Sequence, residues 1–266
     1  MDKVCIVTGG GRGIGLSFAH ALAGAGWRLM LTAARSADEL KAAVADVAET
    51  FGADRVAGVL ADAGDPEQAE RAVEETGRRF GRIDALVNNA GRGPREWSET
   101  FTQAPEKFWD TPADAWREIV RSNVDGPFLM ARAAAPTMIA QGWGRIINIS
   151  TSRVTMVRRG YAPYGPSKAA LDAMTRVFAQ DLEGTGVTVN TLLPGGATAT
   201  SFIPGDAGRT GADGKLLPVN VMDAALIWLL SEASNGVTAG RFVGSRWDPA
   251  APAAAREDEG APPLIL

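Results

Sequence analysis

The chain has 266 residues, 45% hydrophobic and 22% charged, and its 27 Lys+Arg against 31 Asp+Glu leave a formal charge of −4. That balance fits one large globular domain and excludes a general polyanion binder, so no nucleic-acid partner is expected. One cysteine, Cys5, and one histidine, His20, exclude a disulfide framework, a cysteine-rich zinc site and HExxH chemistry, and no metal site is expected.

The N-terminus enters the apolar run Val4-Cys5-Ile6-Val7 at once, without the longer apolar region of a signal peptide. No later run approaches the roughly 18 apolar residues of a membrane span, so a soluble, cytoplasmic protein without a membrane partner is expected. Short apolar runs at 4–8, 28–33, 55–60, 83–87, 146–149, 187–193 and, weakly, 241–243 predict about seven strands. Most are nearly continuous in apolar residues, which suits parallel strands covered on both faces. Between them the spacing turns helical: Leu40, Val44, Val47 and Phe51 form one stripe, Ala69, Val73, Thr76 and Phe80 a second, and Leu171, Met174, Phe178 and Leu182 a third. This alternation predicts an α/β fold, a doubly wound parallel sheet with helices on both faces in a single domain over 1–247. The remainder, 248–266, is rich in Ala and Pro and carries Arg256-Glu257-Asp258-Glu259. Its composition predicts a disordered tail; the alternative is docking on a neighbouring subunit or over a site.

Thr8-Gly9-Gly10-Gly11-Arg12-Gly13-Ile14-Gly15 joins the first strand to a helix. Glycines there allow a tight turn and let a pyrophosphate approach the amides of a helix N-terminus, which makes Gly9, Arg12, Gly13, Ile14 and Gly15 candidate dinucleotide-binding residues. The end of the second strand, about 20 residues on, selects between NAD and NADP. It reads Thr32-Ala33-Ala34-Arg35, with no acid for a ribose 2′-hydroxyl. Arg35 and Arg12 suit a 2′-phosphate, so NADP(H) is expected in preference to NAD(H). Asp62, past the third strand, is a candidate for the adenine edge.

In Tyr161-Ala162-Pro163-Tyr164-Gly165-Pro166-Ser167-Lys168, a helix starting near Pro163 places Tyr164 and Lys168 at i, i+4 on one face. An ammonium beside a phenol favours the phenolate and is expected to pull the tyrosine pKa down, giving a general acid/base without histidine.

With these residues in hand the chain resembles the short-chain dehydrogenases/reductases. The matches are Thr8–Gly15, Asn88-Asn89-Ala90-Gly91, Asn123, the Tyr164/Lys168 pair and Pro194-Gly195, in the family's order. The resemblance implies a Rossmann-like sheet and hydride transfer between a nicotinamide cofactor and a small carbonyl or alcohol. It also implies a homotetramer or homodimer. Tyr164 would exchange the proton, Lys168 would bind the nicotinamide ribose, and Asn123 would hold a relay water. Asn89, Ala90 and Gly91 would line the adenosine side, and Thr198 or Thr200, after Pro194-Gly195, would meet the cofactor.

The chain departs from the family in three places. The catalytic serine position, 13 residues before Tyr164, holds Thr151, with Ser152 adjacent as the alternative. Tyr161 stands seven residues before Lys168, the spacing of the enoyl reductases. The Asp-Gly-Gly that usually follows the last strand is absent. The same apparatus serves C=N or C=C reduction or a lyase or epimerase, and a catalytically silent nucleotide-binding regulator is the reading from a different class.

On the substrate side, the long stretch from Asn89 to Asn123 carries Trp97, Phe101, Phe108 and Trp109, which wall a pocket or fill a core or interface. Arg153, with Arg158 and Arg159, and the pair Arg92/Arg95 are candidates for a substrate carboxylate or for ion pairs. The segment 201–217, with four glycines, is expected to be a mobile lid.

Overall fold

The computed structural model describes residues 2–203 and 214–257. The expected strands form as β1 (Val4–Thr8), β2 (Arg28–Ala33), β3 (Val56–Leu60), β4 (Ala85–Asn88), β5 (Gly144–Ile149), β6 (Val187–Leu193) and β7 (Arg241–Val243). They make one parallel sheet in the order β3-β2-β1-β4-β5-β6-β7, with the chain reversing direction across the sheet between β1 and β4. Every residue of β1, β4, β5 and β6 is buried, as the continuous apolar runs require.

Alternate side chains of each strand feed two cores. Cys5, Val7, Leu29, Leu31, Ile147 and Ile149 face α1 (Gly13–Gly24), α2 (Ala37–Phe51) and α8 (Asp223–Leu229). Ile6, Met30, Leu86 and Ile146 face α3 (Pro66–Phe80), α5 (Gly126–Gln141) and α7 (Tyr164–Asp181). Two shorter helices, α4 (Ala113–Val120) and α6 (Arg153–Met156), sit at the carboxyl ends of the strands. Of the α2 stripe Leu40 and Val47 are buried and Val44 and Phe51 half-buried; of the α3 stripe Ala69, Val73 and Thr76 are buried and Phe80 half-buried. On α7 the fully buried line is Leu171, Thr175, Ala179 and Leu182, while Met174 and Phe178 are half-buried. The reason is polar: Asn88 Nδ2 donates to Asn148 Oδ1 at 2.9 Å, and Asn148 Nδ2 donates to Thr175 Oγ1 at 2.8 Å. That thread under the strand ends turns the small residues of α7 inward.

The expectation of disorder fails for the first part of the tail. Residues 252–255 form a short 3₁₀ turn, Ala255 is fully buried in the α1/α2/α8 core, and Arg256 pairs antiparallel with Phe242 on the outer edge of β7. Glu257 then reaches Arg241 Nε at 2.7 Å. Composition misleads here because an Ala/Pro segment buries little area per residue, and a single exposed strand edge supplies the partners. Residues 258–266 lie outside the described residues, as do 204–213 of the expected lid; its far end is anchored by Leu217 N donating to Ala197 O at 2.7 Å. Among the described residues no helix is long and apolar enough to cross a membrane.

Candidate active site

The first wall of the site is the turn between β1 and α1. Gly9 has φ +65° and Gly13 φ +54°, and a Cβ on Gly15 would stand 2.2 Å from Gly9 O and 2.7 Å from Asn89 Nδ2. Only glycine fits Gly15, because α1 begins directly against the turn. Arg12 caps α1 without a side-chain hydrogen bond, so the first-turn amides stay open toward the groove. Thr8 Oγ1 accepts from the amides of Asn89 and Ala90 at 3.0 Å each, and Asn89 Nδ2 donates to Thr8 O and Gly9 O. The end of β4 is thereby fastened to the turn, and Gly9, Gly13, Ile14, Gly15, Asn89, Ala90 and Gly91 line one continuous groove of about 750 Å³.

Arg12 and Arg35 border that groove, each beside carboxylates: Arg12 lies 3.4 Å from Glu39, and Arg35 3.3 Å from Glu118 and 3.7 Å from Glu96. Both guanidinium groups are largely exposed, so these pairs are weak and exchangeable. Asp62 is committed to Arg121 at 2.6 Å and to the Gly64 amide at 3.0 Å.

The second wall comes from β5, α7 and the loop after β6. Helix α7 opens on Tyr164 itself, and Lys168 follows one turn later. Lys168 is 5% exposed and donates to Ile149 O at 2.8 Å. Tyr164 and Thr151 line the same cleft, and Thr151 is the side chain that favours the Tyr164 phenolate. Ser152 instead caps α6, accepting from Thr155 N at 3.2 Å and sharing a 2.9 Å hydrogen bond with Thr155 Oγ1. Of the two candidates for the serine position, the geometry puts Thr151 at the tyrosine. Tyr161 packs edge-on against Phe101 at 5.6 Å.

The electrostatics differ from expectation. Burial pushes Tyr164 up to about 12, with Thr151 pulling the other way, and burial lowers Lys168 to about 8. Desolvation dominates both groups, and the lysine ammonium donates to the Ile149 carbonyl.

Asn123 lies in a π turn, Arg121–Asp125, ahead of α5. Its Oδ1 accepts from Arg92 N at 2.8 Å, while Nδ2 donates to Arg92 O and to Ser167 Oγ, both at 2.9 Å. Both amide hydrogens are used, so the side chain braces the loop after β4 against the first turn of α7. A Cβ on Gly91 would stand 3.2 Å from Asn123 Oδ1 and 3.5 Å from Lys168 Nζ, which places all three together.

Pro194, Gly195, Thr198 and Thr200 close the cleft from β6, enclosing about 410 Å³, a size suited to a small molecule. Its outer wall departs from expectation. Trp97 and Trp109 do not line it; Trp109 is 67% exposed and packs edge-on against Phe108 at 5.0 Å. Phe101 is buried behind the wall, against Tyr161 and Phe202. Arg153 does not line the cleft either, whereas Arg158, on the same loop, does. The wall itself is Tyr161, Phe202, Ile203 and Val154. Phe202 sits 5.2 Å from the Tyr164 ring but arrives from beyond β6, with no local signal in its sequence neighbourhood. Arg92 and Arg95 are occupied by Glu96 and Glu99 as ion pairs.

This geometry agrees with comparison to known proteins, in which the short chain dehydrogenase family model matches residues 3–204. The chain belongs to the short-chain dehydrogenase family. It is 34% identical over 208 residues to a short-chain type dehydrogenase/reductase of Picea abies, covering 76% of this chain and 73% of the relative. It is 33% identical over 195 residues to a D-beta-hydroxybutyrate dehydrogenase of Rhizobium meliloti, covering 73% and 71%. A crystal structure of a dehydrogenase/reductase from Sinorhizobium meliloti superposes with a TM-score of 0.75 at 31% identity, covering 89% of this chain and 91% of that one. Membership makes this short-chain dehydrogenase an oxidoreductase and implies a nicotinamide cofactor. Its own residues fit one: the turn leaves no room for a Cβ at Gly9, Gly10 or Gly15, and Thr198 Oγ1 and Ser150 Oγ are buried at the cleft without a hydrogen-bond partner among the described residues.

Proposed function

We propose that this dehydrogenase is an NADP(H)-dependent carbonyl reductase or alcohol dehydrogenase in which Tyr164 is the general acid/base. The observation that carries the reading is Tyr164 one helical turn from the buried Lys168, sharing with Thr151 the cleft that the glycine turn borders. With its pKa pushed up to about 12 by burial, Tyr164 holds its proton at neutral pH, the form that protonates a carbonyl oxygen. Thr151 donates to the same oxygen as negative charge develops on it. Lys168, charged below about pH 8, favours the tyrosinate left behind and reaches the ribose hydroxyls. Asn123 keeps the first turn of α7 in register through Ser167. The cofactor, when bound, supplies or accepts the hydride on the carbonyl carbon. Thr198 would hold its carboxamide or phosphate, and the amides of Gly13–Gly15 would hold its pyrophosphate.

NADP(H) is favoured by Arg12 and Arg35, which border the groove, and by the absence of an acid in Thr32-Ala33-Ala34-Arg35; Asp62 would serve the adenine edge. A carbonyl/alcohol substrate agrees with the hydroxybutyrate dehydrogenase among the relatives. Exposed Phe128 and Ile139 on α5 and Val177 on α7 support assembly as a homodimer or homotetramer, and a cytoplasmic location belongs to the same reading.

The test is NADPH oxidation against ketones, aldehydes, imines and enones, with NADH in parallel. Tyr164→Phe is expected to lower turnover by about 10²–10⁴-fold. Arg35→Asp is expected to narrow the NADPH preference by about tenfold or more. Turnover that survives Tyr164→Phe but not Tyr161→Phe would overturn the assignment. Binding of NADPH with no turnover of any substrate would favour the silent regulator.

A further inference from the structure

Among the described residues that line the cleft, two are cations, Lys168 and Arg158, and none is an acid. Lys168 has its partner in Ile149 O and its task in the reaction proposed above. Arg158 has neither. Its guanidinium lies 5.4 Å from the centre of the Tyr161 ring, and among the described residues no carboxylate reaches it. Of the other arginines around this end of the sheet, Arg35 and Arg92 pair with Glu96, Arg95 with Glu99 and Arg121 with Asp62, while Arg159 is exposed and does not line the cleft. An arginine stacked on an aromatic face, with its hydrogen-bonding edge unused, is set to receive a planar anion bidentately.

Its backbone is fixed for that purpose. Arg158 N donates to Thr155 O at 3.3 Å, and Tyr161 N donates to Arg158 O at 3.2 Å. Gly160, at φ +78°, lies so close to Pro105 that an added Cβ would stand 2.3 Å away. Tyr161 is braced in turn by Phe101. Between Arg158 and the reacting pair the wall is apolar: Tyr161, whose ring lies 6.4 Å from that of Tyr164, with Val154, Phe202 and Ile203.

We infer that Arg158 is an anion subsite, and that the substrate is an oxo or hydroxy compound carrying a carboxylate, or a comparable anionic group, separated from the carbonyl by an apolar stretch. The carbonyl lies at Tyr164 and Thr151, the apolar stretch along Tyr161 and Phe202, and the anion on the Arg158 guanidinium. This rests on the reading of Tyr164 as the acid/base.

The test compares oxo-carboxylates of increasing chain length with their own methyl esters, using NADPH and the full chain. The readout is the ratio of kcat/KM for acid over ester within each protein, so that general damage cancels. In the wild type the acid is expected to lead by about tenfold or more at the best chain length. Arg158→Gln should bring the ratio close to one, and Arg158→Lys should restore part of it. A wild-type ratio near one, with Tyr164-dependent turnover of esters intact, overturns the subsite and leaves the acid/base reading standing. So does a ratio that Arg158→Gln leaves unchanged. If no carbonyl compound turns over, calorimetry of a saturated fatty carboxylate binding to the NADPH-loaded protein decides separately. Binding weakened about tenfold in Arg158→Gln sustains the anion subsite while the reaction falls, and equal binding overturns both.

Discussion

Replacing Arg241 by leucine tests both the docked tail and the support beneath Thr151. The guanidinium is 5% exposed and makes three contacts: Nε to Glu257 at 2.7 Å, Nη1 to Asp172 on α7 at 2.5 Å, and Nη2 to the Thr151 carbonyl at 2.5 Å. Removing the cation leaves two carboxylates facing one site, each only about a fifth exposed. Breaking a buried pair in this way costs about 3–5 kcal/mol, and the partial exposure of both acids puts this case near 3. For a domain of this size that lowers Tm by about 6–12 °C. The control is Arg117→Leu, whose guanidinium is 73% exposed beside Asp114 and is worth less than about 1 kcal/mol. The assay is thermal and urea unfolding at pH 7, with the double variant Arg241→Leu/Glu257→Gln closing the cycle. The double variant should recover part of the loss, since one stranded charge is gone. A Tm change no larger than the Arg117 control, with no coupling to Glu257, would refute the reasoning and show Arg241 solvated. Because Nη2 holds the Thr151 backbone, kcat at full folding should fall while KM for NADPH stays put; a purely structural role would move neither.

Two further outcomes follow from the site and from α8. Thr151→Val should lower kcat by about 10²–10³-fold while Thr151→Ser retains most of it, as steady-state kinetics would show; Ser152→Ala, which removes only the cap of α6, should cost stability and little turnover. Asp223, on the first turn of α8, accepts from Ser17 at 2.8 Å, and burial raises its pKa from 3.8 to about 6. Between about pH 4 and 6 the folded chain therefore holds more protons than the unfolded one, and stability falls as pH rises through that window. Asp223→Asn should leave urea stability unchanged at pH 4 and raise it at pH 7 by about 1 kcal/mol, the full shift being reduced by solvent screening; no gain at pH 7 would contradict the buried charge.

The parts of this protein that were legible in the sequence are those where the chemistry is local. The strands were readable because burial on both faces demands unbroken apolar runs, and the Tyr164/Lys168 pair because one helical turn separates them. Where a buried polar residue interrupts a run, the boundary slips: β5 starts two residues before Ile146, since Gly144 admits no side chain against Met138 and Arg145, though 1% exposed, stacks on Trp143 at 4.2 Å. Direction was the larger difficulty. Trp109 and Phe101 have similar apolar surface and lie eight residues apart, yet one is 67% exposed and the other 1%. Which of them reaches the site depends on Tyr161 and Phe202, supplied by segments far along the chain. The same holds for Thr151, whose choice over Ser152 is made by a helix cap on one side and by Arg241, 90 residues later, on the other. A site assembled from strand ends gathers its members from across the whole chain. Local pattern therefore identifies the groups that react, while the walls that select a substrate, Arg158 among them, emerge only when the loops are packed against one another.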